Sequence, residues 1–221
     1  MKTGSTSKWV VSNYNWDISW LLDYTDDYVV FDRSDSDAGF RNLDKTKVSK
    51  VENIGWDIYD KFNYLVENYD NLPETIILIK GNLFEYMPRT EFDKVKDNQF
   101  FTPLLSQEHK TYDRVDINKH QWNRICFYEN GMYNEINDRW YLKKCPAKRK
   151  MEYDAYWHGI EPGYQDEKYK QFAPGSNYII TRKDVLKRPK DFYIKMRYFV
   201  DYTRLPGEAY LIERDLYHIF K

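Results

Sequence analysis

The chain has 221 residues, long enough to bury a full core in one domain without disulfide or metal staples. Its hydrophobic share of 42% argues against disorder, and 34 Lys plus Arg against 35 Asp plus Glu lack the basic excess of a dedicated nucleic-acid binder. No run approaches the ~18 apolar residues of a membrane span. The opening MKTGSTSKWVVSNYN has no apolar signal-peptide stretch. Cys126 and Cys145 show no C-x-x-C spacing, which suits a reducing compartment. A soluble, cytoplasmic protein is the expectation. Aromatic residues reach 18%, with 21 Tyr. Tyr suits half-buried surfaces that stack on sugars or bases, although biased codon usage would give the same excess.

Trp9–Ser12 (WVVS) reads as a short strand, after which Asp17 is placed to cap a helix carrying Ile18, Leu21 and Leu22. Tyr28–Asp32 (YVVFD) is a second strand, ending in the loop RSDSDAG. Ile58, Phe62, Leu65 and Tyr69 keep one face of a helix, with Asp57 at its N-cap and Asp60 at N3. Leu72-Pro73 stops that helix. Thr75–Lys80 (TIILIK) is apolar on both faces, as a central parallel strand is. Alternating strand and helix patterns predict a parallel sheet with crossover helices.

From about Phe100 to Gln171 that rhythm is lost. Glu129-Asn130-Gly131 predicts a hairpin turn, and Trp122, Trp140 and Trp157 argue for order. Asn177–Ile180 is a further strand. Thr181-Arg182-Lys183-Asp184 reads as a capping box before a short helix. Pro189 opens a helix with Phe192, Met196 and Phe199 on one side. After Pro206-Gly207, Glu208–Phe220 forms a last helix with Ile212, Leu216 and Ile219 facing the core.

Open α/β sheets bind ligands beyond the carboxyl ends of their strands. Here those ends are polar: Ser12-Asn13-Tyr14, Asp32-Arg33 and Lys80-Gly81-Asn82. Gly81 allows close approach of the backbone, and Lys80 and Arg33 can neutralise phosphates. Asp35 and Asp37 have the D-x-D spacing that shares a hard cation, in a loop where Asp also favours turns. His218 is the candidate third ligand, or else a helix-end residue suited to the dipole. His109, His120, His158 and His218 show no metal-ligand spacing, and His158 with Glu161 reads as a surface pair. Glu208, at a loop-to-helix junction, is the first candidate for a catalytic carboxylate, and Asp201 the next. Glu213, on a stripe with Tyr210, Tyr217 and Phe220, is a further catalytic candidate, expected to be partly buried with a raised pKa, or else a helix residue paired with a neighbouring Arg. No G-x-S-x-G, P-loop or G-x-G-x-x-G occurs.

Two segments carry a resemblance. NIGWDIYDKFNYLVENYDNLPETIILIKGNLFE is similar to a block in a little-characterised glycosyltransferase-like family of bacteria, fungi and large viruses. APGSNYIITRKDVLKRPKDFYIKM and PGEAYLIERDLYHIF resemble the closing region of GT-A-type glycosyltransferases, and VVSNYNWDISWLL their first strand and loop. The pieces cover a little under half the chain. The resemblance implies an α/β GT-A fold, with residues 1–98 the nucleotide-binding half and 99–221 the acceptor-binding and closing half of one domain. It also implies a nucleotide-diphosphate sugar donor, a glycan acceptor, and a divalent cation such as Mn or Mg. Asn13 and Asp32 would then lie near base and ribose, with Asn53, Gly55 and Asp57 by the same pocket. Where the family carries a D-x-D after the strand corresponding to TIILI, this chain has Lys80-Gly81-Asn82. A catalytically inactive sugar- or nucleotide-binding module of the same fold is the alternative.

Overall fold

The computed structural model describes residues 7–106, 126–129 and 132–221. In chain order its elements are β1 (Ser7–Asn13), β2 (Tyr28–Asp32), β3 (Val48–Lys50), α1 (Trp56–Asn68), β4 (Thr75–Lys80), α2 (Leu83–Tyr86), α3 (Arg89–Val95), β5 (Thr102–Pro103), β6 (Cys126–Glu129), β7 (Met132–Ile136), α4 (Lys150–Ile160), β8 (Tyr169–Phe172), β9 (Tyr178–Thr181), α5 (Arg182–Val185), α6 (Lys190–Val200) and α7 (Gly207–Phe220).

Six strands form one sheet in the order β3-β2-β1-β4-β9-β5. β1 pairs in parallel with β2 on one side and β4 on the other, Trp9 facing Tyr28 and Val10 facing Leu78. β3 extends the parallel part beside β2, and β9 closes it antiparallel to β4. The protein is thus a mixed α/β structure with a mostly parallel sheet flanked by helices. β5 and β9 come from residues 99–221, so the two halves of the sequence share this sheet.

Both sheet faces are covered, which is why the central strands read as unbroken apolar runs. Successive side chains alternate between faces. Val10, Ile76, Leu78 and Ile180 pack under α1, α4, α6 and α7, against residues such as Phe62, Trp157, Phe199 and Ile212. Trp9, Val11, Ile77, Ile79 and Ile179 face the other way, against Ile18, Leu21, Leu83 and Phe92. Much of the aromatic share is core: Trp9 meets Phe92 edge-on at 5.7 Å and Tyr153 meets Phe199 at 5.1 Å.

β6, β7 and β8 make a second, antiparallel sheet. Glu129 stands opposite Met132; the expected Asn130-Gly131 turn between them lies outside the described residues, as do Trp122, His109 and His120. The Thr181–Asp184 capping box forms. Phe192, Met196 and Phe199 of α6 and Ile212, Leu216 and Ile219 of α7 are all buried. Two expectations are corrected. The helix expected after Asp17 is a 3-10 segment, Ser19–Asp23, in which Leu22 is 47% exposed. Asp57 does not cap α1: the N-cap is Gly55, left-handed at φ 70, with no side-chain cap.

Candidate functional site

A cavity of about 250 Å³ opens at the carboxyl ends of β1, β2 and β4. β1 delivers Ser12, Asn13 and Tyr14 to its wall, β2 delivers Arg33, and β4 delivers Lys80, Gly81 and Asn82. Asn53, Trp56 and Asp57 come from the approach to α1 and its first turn, Arg204 and Leu205 from the segment between α6 and α7. Trp16 and Tyr86 complete it. Parallel neighbours bring their ends to one edge, so residues far apart in sequence converge here.

Asn13 is fixed by its neighbours. Its Nδ2 donates to Asp32 Oδ1 at 2.9 Å and to the Trp16 carbonyl at 3.2 Å. A carboxylate and a carbonyl only accept, so the orientation of the amide is determined. Its buried Oδ1 has no hydrogen-bond partner among the described residues and faces Gly81, where an added Cβ would stand 2.3 Å from it. Glycine is required there by contact rather than by a left-handed backbone.

The charges are ordered by burial. Arg33 is fully engaged, donating to Asp60 through Nε at 3.0 Å and Nη2 at 2.5 Å, and through Nη1 to the Glu52 carbonyl. Burial pushes the Asp60 carboxyl up to about 6 against the pull of Arg33. Asp57 Oδ2 accepts from Lys61 Nζ and Ser176 Oγ. Burial opposes its charge, but Lys61 and Lys80 hold its carboxyl below the usual range. Lys80 is only 7% exposed, its ammonium set between the rings of Trp56 (4.9 Å) and Tyr86 (4.7 Å). Burial works against that charge too, yet Asp57, Tyr86 and Glu213 raise its pKa to about 12. Lys80 is therefore a cation throughout the physiological range.

Trp56 adopts φ 58, a conformation that costs an L-residue roughly 1–2 kcal/mol. Asn15 (φ 60) lies between two wall residues, and Ser176 (φ 59) bonds Asp57. Among the described residues, three of the four non-glycine residues at positive φ thus stand on or beside this wall, and strain of this kind gathers at functional sites. A wider, shallow groove of about 740 Å³ between Asn137 and Lys168 is lined without Trp, Tyr or Phe, and its Arg139 and Asp154 are already paired at 2.9 Å.

Nine of the eleven residues expected to bind a nucleotide sugar line the cavity. The other two lie behind it. Asp32 is fully buried and holds Asn13, Ser34 and Lys50. Gly55 donates its N–H to the Thr203 carbonyl at 2.8 Å, tying α1 to the segment that carries Arg204. The carboxylates expected to be catalytic are elsewhere. Glu208, expected to be exposed at a cleft, is 0% exposed and accepts from Arg149 N at 2.7 Å and Tyr202 Oη at 2.5 Å. Asp201 pairs with Arg149. Glu213 is buried, which raises its pKa as expected, and accepts from Gly175 N at 2.9 Å.

Asp35, Asp37 and His218 do not come together. Asp35 lies by Asn15, and Asp37 pairs with Lys50 at 3.0 Å. His218 stacks on Tyr164 at 3.8 Å and pairs with Glu161, which also takes Arg188; the expected His158–Glu161 pair is replaced by these. Among the described residues no group of three or more His, Cys, Asp or Glu side chains is placed to hold a metal, and no helix is long and apolar enough to cross a membrane. Sequence reasoning missed Trp16, Trp56, Tyr86 and Arg204. The aromatic excess was the one signal pointing to the rings; nothing local marked Arg204.

Residues 9–220 match the family described as "Protein of unknown function (DUF3431)". No curated protein and no solved structure matches the chain.

Proposed function

The chain belongs to this family, and we propose that it binds a nucleotide-diphosphate sugar in the cavity and moves the sugar to a glycan hydroxyl, as GT-A-type glycosyltransferases do. One observation carries the reading. Nine of the eleven residues that the resemblance and the strand-end rule singled out line a single cavity at the carboxyl edge of the parallel strands. Trp16, Trp56, Tyr14 and Tyr86 offer rings to a base or sugar.

In the transfer, the acceptor oxygen bonds to the anomeric carbon and the bond from that carbon to the diphosphate oxygen breaks. The acceptor proton passes to a carboxylate. Among the described residues Asp57 is the carboxylate on the wall, and it takes the role that sequence reasoning gave Glu208. One observation favours the second reading, a catalytically silent binding module. Lys61 and Lys80 hold Asp57 low in pKa, which keeps it ionised but weakens it as a base.

Thermal shift of the full chain against nucleotides and nucleotide sugars, with and without manganese, is the first test. It is followed by incubation with glycan acceptors and mass spectrometry of the products. The transferase reading expects a new glycoside and one released nucleoside diphosphate per turnover, with Asp57→Asn abolishing transfer but keeping donor binding. Binding without transfer supports the silent module. No response to any nucleotide contradicts both.

A further inference from the structure

We infer that Lys80 and Arg204 neutralise the diphosphate of the ligand in this cavity, in place of a divalent cation. The inference rests on the nucleotide-sugar reading but concerns how charge is balanced there.

A hard cation needs several oxygen ligands, usually including one or more carboxylates. The D-x-D that sequence suggested, Asp35 and Asp37, stands apart from His218 and outside the cavity wall. The wall carboxylate, Asp57, already gives Oδ2 to Lys61 and Ser176. These residues do not fit a cation. They fit an anion.

Lys80 Nζ carries three N–H donors. One reaches Tyr86 Oη at 3.2 Å, and among the described residues no carboxylate lies within 4.0 Å of it. Asp57 and Glu213 stabilise its charge through space, but among the described residues its other N–H donors have no acceptor, and buried donors are costly until an anion meets them. Its ring contacts with Trp56 and Tyr86 fix the ammonium in place without neutralising it. Arg204 stands over the Tyr14 ring at 4.8 Å, again with no carboxylate partner among the described residues. Arg33, the third wall cation, is already engaged by Asp60. Two cations therefore remain uncommitted, and their charge matches the two to three negative charges of a nucleoside diphosphate. The first turn of α1, uncapped by any side chain and opening at the same wall, adds its positive end.

The test is calorimetric titration of the full chain with uridine, uridine diphosphate, guanosine diphosphate and inorganic pyrophosphate, in EDTA and in manganese. Pyrophosphate and at least one nucleoside diphosphate should bind in EDTA, with affinity altered by manganese less than about threefold. Lys80→Gln should weaken both by about tenfold or more, the worth of one charge-assisted hydrogen bond, while Lys80→Arg retains most of the affinity. Arg204→Gln, at an exposed position, gives the same reading if Lys80→Gln fails to fold, with a several-fold loss that shrinks at high salt. Nucleoside diphosphate binding that requires manganese, or that is indifferent to both substitutions, overturns the inference while leaving the nucleotide reading in place. Metal-free, Lys80-dependent binding of pyrophosphate to which no nucleoside adds affinity does the reverse. No binding of any probe refutes both.

Discussion

Replacing Gly55 by alanine tests how the cavity wall is held together. The residue has φ 70, and an added Cβ would stand 2.8 Å from the Val200 carbonyl oxygen and 2.7 Å from Tyr59 Cβ. The first neighbour is backbone and cannot rotate away. The left-handed conformation costs alanine roughly 1–2 kcal/mol, and overpacking against fixed atoms about 1–3 kcal/mol. The sum, roughly 2–5 kcal/mol, lowers Tm by about 4–20 °C in a chain of this size. Two other glycines separate the contributions. Gly163 has φ 89 with no atom of the described residues within 4 Å of its Cβ position, so Gly163→Ala bears the conformational cost alone, a loss of roughly 2–8 °C. Gly159 lies in α4 with open space around it, so Gly159→Ala should raise Tm by roughly 1–4 °C. Differential scanning calorimetry of the three variants is the assay. Equal losses for Gly55→Ala and Gly163→Ala would refute the steric account of the junction between α1 and the segment carrying Arg204.

Glu208→Gln should lower stability by about 1–3 kcal/mol, because an amide cannot accept on both arms as the buried carboxylate does. Donor affinity should be unchanged; a selective loss of turnover with unaltered Tm would restore Glu208 as a catalytic group. Asp60 titrates at about 6 in the folded chain against a reference of 3.8. Between those values the folded state holds the extra proton, so this group's contribution to stability falls as pH rises from about 4 to about 6. Urea unfolding should show the difference between the parent and Asp60→Asn moving by up to about 3 kcal/mol across that window; a constant difference contradicts it. Glu135→Ala removes the carboxylate that takes Arg214 Nη2 at 2.6 Å and Nε at 3.0 Å. That leaves the buried guanidinium with the longer Glu213 contact at 3.5 Å and the Tyr210 carbonyl, with Nε and Nη2 stripped of their acceptor, and should cost about 2–4 kcal/mol in chemical denaturation. A loss under 1 kcal/mol would show that Glu213, with the Tyr141 and Phe172 rings 4.2 and 4.8 Å from that guanidinium, suffices to hold it.

What was legible in the sequence followed the range of the interactions. TIILIK announces a strand buried on both faces, and Thr181 with Asp184 announces a helix start, because each signal lies within a few residues. The strand-end rule then located half of the residues of the cavity wall without any knowledge of tertiary contacts. Asp57 shows where local reading stops. Its position suits an N-cap, but the left-handed Gly55-Trp56 step sets the helix entry and Lys61, four residues on, draws the carboxylate inward. The Pro-Gly break before Glu208 suggests a residue at a cleft. Its actual partners, Arg149 N and Tyr202 Oη, include one 59 residues away. Glu161 likewise has a histidine three residues before it in sequence and pairs with one 57 residues after it. Arg204 and Tyr86 reach the cavity only because α1, α6 and the sheet pack as they do, and no spacing encodes that.

The most direct test of the cavity as the ligand site is hydrogen–deuterium exchange of the full chain with and without a nucleoside diphosphate. Protection should appear in peptides covering 12–16, 53–57, 80–86 and 203–205, while 137–139, 154–158 and 165–168, along the shallow groove, exchange as before. Protection confined to the groove, with the strand-end peptides unchanged, would contradict the account.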